Sequence, residues 1–290
     1  MTTLAGKTVL LTGASRGLGV YIARALAIEK ATVVCVSRSK AGLDITCDEI
    51  TALGGKSISI PFDIKNVRKL STLKKLIHQL VGPVDILINN AGIEVCQFFP
   101  DYSLDEIQSV LEINLLSPIE LSRLFLPSML EQRSGHIVNI ASLGGKKGVA
   151  YSSIYSASKA GLIMWSDAMR QELVGTGVEI SVICPGYISQ VGLAAKNGLT
   201  VPHLAGISTP TYVANAVIRA IKQNKAEIIV NKELITEFFT RLLFAIGQLY
   251  SPFIDVIYRW IDIPRLNRMR VEKQQRMDDS TIKPVVGKRG

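Results

Sequence analysis

The run KTVLLTGASRGLG, Lys7–Gly19, sets the reading of the whole chain. Its first half, Lys7–Thr12, is a short apolar, β-branched stretch, and its second half is a glycine-rich turn leading into a helical pattern. Gly13, Gly17 and Gly19 allow a tight turn and close backbone approach of a diphosphate, whose charge would be met by the unpaired N–H groups of the helix start. Ser15, Arg16 and Leu18 fill the same turn. The G-x-x-x-G-x-G spacing is not the standard dinucleotide fingerprint, so the strand–turn–helix context carries the inference.

Outward from this turn, short β-branched runs alternate with longer helical patterns. Lys7–Thr12, Thr32–Ser37, Ser57–Phe62, Asp85–Asn89, His136–Ile140, Glu179–Ile183 and Glu227–Val230 read as strands. Gly17–Glu29, Gly42–Leu53, Val67–Leu80, Leu104–Leu130, Ile154–Leu173 and Pro210–Lys222 read as helices. The alternation predicts an α/β fold with a doubly wound, seven-stranded parallel sheet of the Rossmann type. Ligands in such a sheet lie at the carboxyl ends of the strands.

Several polar residues fall at those ends. The second strand closes on Ser37-Arg38, where an acid would suit the adenosine ribose of NAD; Arg38 with Arg16 suits the 2′-phosphate of NADP, or both are solvated arginines. Asp63, followed by Ile64, could accept from an adenine amine or cap the next helix. The fourth strand leaves through Asn89, Asn90, Ala91 and Gly92. Asn114 interrupts an apolar helical stretch that disfavours it.

ASLGGKKGVAYSSIYSASK, Ala141–Lys159, holds the candidate chemistry. On a helix, Tyr155 and Lys159 share one face, a turn apart. A cation beside a phenol favours phenolate, so the pair is suited to moving protons onto and off oxygen. Ser142 lies just upstream.

TGASRGLG, NNAG, Asn114, Ser142, Tyr155-Ser-Ala-Ser-Lys159 and Pro185-Gly186, in this order, resemble the short-chain dehydrogenase/reductase family over roughly residues 4–230. The resemblance implies an NADP-dependent ketone reduction. Tyr155 would be the proton donor, Lys159 would lower its pKa and hold the nicotinamide ribose, and Ser142 would orient the substrate oxygen. Asn114 would hold a relay water. Gly13, Ser15, Arg16, Gly17, Leu18 and Gly19 would surround the diphosphate and adenosine, with Arg38 at the 2′-phosphate. Asp63 and Ile64 would face the adenine and Asn90, Ala91 and Gly92 its ribose. Pro185, Gly186 and Ile188 would lie at the nicotinamide, although the family's threonine after Pro-Gly is replaced within Tyr187-Ile-Ser-Gln190. Within the family the chain is most similar to 3-oxoacyl reductases, and more narrowly to the cyanobacterial ketoacyl reductases associated with heterocyst differentiation. Those carry an RGSGR pentapeptide where Gln132–His136 stands here. A differentiation regulator that keeps the reductase fold is the alternative function.

Beyond residue 231 the pattern changes. Residues 232–263 form an apolar, amphipathic extension, with Ser251-Pro252 starting a second helix through Trp260. Embedded charges and Pro252 argue against a membrane span. The extension suits peripheral membrane contact, a cover over the cleft or a homo-oligomer interface. Residues 264–290 read as a basic, mobile tail, with eight Lys or Arg against three Asp or Glu, within a net charge of +9 over 290 residues. That tail lacks interleaved aromatics, so nucleic acid is not an expected partner. The four scattered cysteines suggest neither disulfides nor a metal site. The expected location is cytoplasmic and the expected substrate a small-molecule or acyl-carrier-bound carbonyl.

Overall fold

The structure, a computed structural model, describes residues 3–189, 191, 207–230, 234–260 and 262–282. The strands are β1 (Thr8–Thr12), β2 (Thr32–Ser37), β3 (Lys56–Pro61), β4 (Ile86–Asn89), β5 (Gly135–Ile140), β6 (Val178–Pro185), β7 (Tyr187–Ile188), β8 (Ile207–Ser208) and β9 (Glu227–Val230). The helices are α1 (Leu18–Ile28), α2 (Lys40–Ala52), α3 (Leu70–Val81), α4 (Leu104–Leu111), α5 (Ser117–Glu131), α6 (Ser153–Glu172), α7 (Pro210–Gln223), α8 (Leu234–Leu249), α9 (Ser251–Trp260) and α10 (Ile263–Ile282). Seven strands form one parallel sheet in the order β3-β2-β1-β4-β5-β6-β9, while β7 and β8 pair separately. This is the expected doubly wound, Rossmann-type α/β fold with helices after it. Helix α9 spans the stretch that Ser251-Pro252 opens.

The central strands are apolar on both faces because each face is covered. Val9, Leu11, Ile86 and Ile88 pack with Ile22 and Leu26 of α1 and Val213 and Val217 of α7. Leu10 and Leu87 point the other way, against Leu70, Leu73 and Ile77 of α3 and Phe125 of α5. All are at most 3 % exposed, and each such side chain contributes about 1.5–3 kcal/mol over an exposed one. Outward-winding β1-β2-β3 and returning β4 diverge at the β1/β4 boundary, which opens the binding crevice.

Two stretches differ from the sequence reading. The helix expected across Leu104–Leu130 is broken by a π turn at Glu112–Leu116, where the Ser117 N–H bonds the Glu112 carbonyl five residues back. The extra residue swings Asn114 into the interior, where it is fully buried. The tail expected to be mobile from Pro264 carries α10, and Ile263, Leu266, Asn267, Arg270 and Val271 are buried along one side of it. Their helical spacing was masked by the surrounding basic residues.

His136, in β5, is buried, with Nε2 2.8 Å from the Ser181 hydroxyl. Burial, aided by the Arg170 charge, lowers its pKa from 6.5 to about 4. The native state therefore keeps the ring neutral while the unfolded chain takes up a proton first, so stability falls as pH drops from about 6.5 toward about 4. Urea unfolding of wild type is expected to lose about 2 kcal/mol at this group between pH 7 and pH 5. His136→Gln should lack that increment; equal acid losses in both proteins would refute it.

Candidate active site

The crevice is laced shut at its base by β1 and β4. The buried Thr12 hydroxyl accepts from the Asn90 N–H at 3.0 Å and the Ala91 N–H at 3.1 Å. Asn90 Nδ2 returns the link to the Thr12 carbonyl at 2.9 Å and the Gly13 carbonyl at 3.3 Å. Gly13 has φ 69° and Gly17 φ 62°, in the region that favours glycine. A Cβ on Gly13 would lie 2.8 Å from Ala91 Cα, and one on Gly19 would lie 2.1 Å from the Gly13 carbonyl oxygen. Both positions exclude a side chain. Ser15 and Leu18 are half-buried in the same turn.

This end of the sheet fits a phosphorylated dinucleotide. The Ser37 hydroxyl, at the end of β2, is buried with no partner among the described residues. Arg38 follows it and, like Arg16, is exposed. Neither makes an ion pair with another described residue. Asp63 is exposed, and one carboxylate oxygen accepts the Lys65 N–H at 3.0 Å, so it caps a turn and not the helix beyond. Ile64 is buried, its carbonyl receiving the Ser117 hydroxyl at 2.6 Å.

Asn114 and Lys159 meet beside Gly92, and Ser142 and Tyr155 meet beside Gly144. Asn114 is pinned to the β4 exit, its Oδ1 accepting the Ile93 N–H at 2.8 Å and its Nδ2 donating to the Ile93 carbonyl at 2.8 Å and Ser158 Oγ at 3.1 Å. A Cβ on Gly92 would meet Asn114 Oδ1 at 3.3 Å and Lys159 Nζ at 3.5 Å, so glycine keeps open the space between amide and ammonium. Lys159 is 4 % exposed and donates to the Ile140 carbonyl at 2.8 Å, with its Nζ 5.8 Å from the Tyr155 ring centre. Ser142 follows β5 and caps the 3-10 turn Leu143–Gly145, its hydroxyl accepting the Gly144 N–H at 3.0 Å. Its hydroxyl lies near the Tyr155 phenol and opposes the rise of that group's pKa.

Burial dominates the electrostatics of the pair. Desolvation pushes the Tyr155 phenol well above its ordinary pKa, reinforced by Glu94 and opposed by Ser142 and Arg270. Burial likewise lowers Lys159 to about 8. The ammonium points to a carbonyl on β5, and removal from water outweighs its pull on the phenol. The Tyr155 phenol is therefore protonated across the neutral range.

Pro185 is buried at the end of β6, and Gly186 and Ile188 are half-buried beyond it. The Ser189 N–H bonds the Ser208 carbonyl at 2.9 Å, while Gln190 lies outside the described residues. Tyr151 packs edge-on against Phe98, ring centres 5.2 Å apart.

Residues 7–199 match the short chain dehydrogenase family model. The chain belongs to this family. It is an oxidoreductase of the short-chain dehydrogenase type, and among its relatives is the ketoacyl reductase HetN of Nostoc sp. (strain PCC 7120), 62 % identical over 94 % of this chain and 96 % of that protein. An uncharacterized oxidoreductase of Staphylococcus aureus (strain USA300) is 35 % identical over 78 % of this chain and 95 % of its own length. A metagenomic short-chain oxidoreductase, crystallised in complex with NADP, superposes with a TM-score of 0.70 at 31 % identity, covering 80 % of this chain and all of that one.

The polar chain that holds this short-chain dehydrogenase site together was not visible in the sequence. Asn89 Nδ2 donates to Asn139 Oδ1 at 2.8 Å, and Asn139 Nδ2 to Ser166 Oγ at 2.8 Å, tying β4 and β5 to α6. Glu94, Ser152, Tyr187, Asn267 and Arg270 form a second hydrogen-bonded set, from which Glu94 and Arg270 act on the Tyr155 phenol. The available signal for Asn267 and Arg270 was their i, i+3 spacing between Leu266 and Val271 on one helical face.

Proposed function

We propose that this short-chain dehydrogenase reduces a ketone with NADPH, the ketone being a 3-oxoacyl or other lipid-like carbonyl. The carrying observation is the enclosed Tyr155 hydroxyl beside Ser142, with Lys159 Nζ 5.8 Å from the ring centre. When bound, NADPH supplies the hydride. Tyr155 then donates its proton to the carbonyl oxygen while Ser142 orients that oxygen, and the nearby ammonium of Lys159 stabilises the phenolate left behind. Asn114 holds the β4 exit and the Ser158 turn of α6 in register, and with them the Tyr155–Lys159 face. NADP over NAD is supported by exposed Arg16 and Arg38 next to the unpartnered Ser37 hydroxyl. The 62 % identical relative named a ketoacyl reductase supports the 3-oxoacyl class. The test is NADPH oxidation with short and long 3-oxoacyl thioesters and matched ketones. Turnover of a 3-oxoacyl thioester is the expected result, and NADH working as well as NADPH, or no carbonyl being reduced, would overturn the reading.

The C-terminal helices support a place on a lipid surface. Phe244 and Ile254 anchor α8 and α9 on Leu143, Ile163 and Ile229, and Lys147 pairs with Asp255 of α9. The outward side leaves Leu249, Tyr250, Phe253, Val256 and Trp260 exposed, Leu249 at 89 % and Trp260 at 78 %. Basic Arg259, Arg265 and Arg268 follow, suiting anionic headgroups, and no helix among the described residues is long and apolar enough to cross a membrane. Sedimentation with anionic vesicles is expected to carry down the protein at low salt, and Leu249→Glu with Trp260→Glu should leave it in the supernatant. Vesicle-independent self-association lost in the same variant would instead assign the face to a second copy of the chain.

A further inference from the structure

Helix α10 reaches the reacting groups through a buried ion pair. Arg270, 4 % exposed, donates through Nη2 to Glu94 Oε2 at 3.0 Å, and the other carboxylate oxygen accepts the Ser152 hydroxyl at 2.6 Å. Ser152 immediately precedes α6, and its carbonyl accepts the Ser156 N–H at 2.9 Å, closing the first helical turn, which carries Tyr155. Ile93, the residue before Glu94, is held by Asn114 through both its N–H and its carbonyl. Arg270 Nη1 donates to Asn267 Oδ1 at 3.1 Å, and the Tyr187 hydroxyl donates to the same oxygen at 3.3 Å. One guanidinium thus ties together the β4 exit, the first turn of α6 and, through Asn267, the β6 exit.

The same pair sets charge around the phenol. Glu94 works against ionisation of Tyr155, while Ser142 and Arg270 favour it. The other groups facing the pair or the phenol are kept uncharged by burial: the Cys184 thiol is pushed up to about 12, and the Cys96 thiol and Tyr187 hydroxyl, which face Arg270, are also raised. Lys159 adds a cation, its Nζ 5.8 Å from the ring centre. Without Arg270, an ionised Glu94 would be an unmatched buried charge acting on a phenol that must become phenolate as its proton leaves.

We propose that Arg270 is a positioning residue for proton donation: it offsets the Glu94 carboxylate, which opposes the phenolate, and through Glu94 and Ser152 it fixes the turn of α6 that carries Tyr155. This rests on the reductase reading, in which Tyr155 gives up its proton. It also makes the reaction depend on α10, which lies beyond the residues 7–199 that match the family.

The first readout is the acid limb of the kcat–pH profile in the oxidising direction, where Tyr155 must accept a proton, measured on the full chain with NADP and the alcohol made from a ketone that wild type reduces. Arg270→Gln leaves Glu94 unmatched and should move the limb to higher pH by about one pH unit; Glu94→Gln leaves Arg270 unmatched and should move it to lower pH by about as much. Arg270→Lys keeps the charge and should keep the wild-type profile. Loss of packing alone does not shift the limb in opposite directions. Unmoved limbs, or shifts of one sign in both variants, would overturn the proposal. Hydrogen exchange gives a second readout that needs no turnover: the Ser156 amide should exchange about tenfold faster in Arg270→Gln and in Ser152→Ala, which cuts the link to Glu94, while amides of β4 and β5 keep their rates. Unchanged exchange at Ser156 would also overturn it. Should Arg270→Gln fail to fold, Glu94→Gln and Ser152→Ala decide the two readouts. If wild type reduced no carbonyl while exchange rose at Ser156, the reductase reading would fall and the hold on α6 would stand.

Discussion

Tyr155→Phe is expected to lower NADPH-dependent ketone reduction by about 10³-fold or more, with kcat taking the loss and the Tm little changed. The phenol is the proton source at the reacting oxygen, and the replacement deletes one hydroxyl while keeping the ring. The ring keeps its place beside Gly144 and 5.8 Å from Lys159 Nζ, so folding should be spared. NADPH binding should also survive, since the crevice between Gly13 and Gly92 is built from other residues. Steady-state kinetics with fluorescence titration of NADPH separates the two effects. Near-wild-type turnover in this variant would remove Tyr155 from the chemistry.

The second large effect concerns Arg16 and Arg38. The double variant Arg16→Ala/Arg38→Ala should weaken NADPH binding by about 100-fold while NADH binding moves by less than about threefold. A charge-assisted hydrogen bond contributes about 1.5–3 kcal/mol when sheltered. Exposure of both guanidinium groups reduces each share, which is why the pair and not either one alone is set at this size. Only NADP carries the 2′-phosphate that the arginines would grip, so the ratio of the two affinities is the readout. Equal weakening of both cofactors would point instead to general damage at the β2 exit.

How much of this site could be read from the residues alone depends on how local the causes are. The glycine turn is legible because Gly13, Gly17 and Gly19 sit between a strand pattern and a helix pattern, and each constraint acts within a dozen residues. Tyr155 and Lys159 are legible for the same reason, since helical spacing alone puts them on one face. The behaviour of Tyr155 is not. Its phenol is raised by removal from water, and the groups that adjust it further, Glu94, Ser142, Arg270 and Cys184, come from distant parts of the chain. The π turn at Glu112–Leu116 escapes a periodicity argument because one extra residue barely disturbs the apolar pattern, yet it is what carries Asn114 to Ile93. Helix α10 escapes for a different reason. Its composition is that of a solvated basic segment, and only docking against Glu94 and Tyr187 gives Asn267 and Arg270 a buried side.

Strand alternation, the phosphate turn and the identity of the proton-handling residues follow from the order of amino acids, because secondary structure and glycine sterics are short-range. Which groups share a dry space and which charges are already matched follow from folding, because electrostatics and desolvation act between residues far apart in the chain, 176 positions for Glu94 and Arg270.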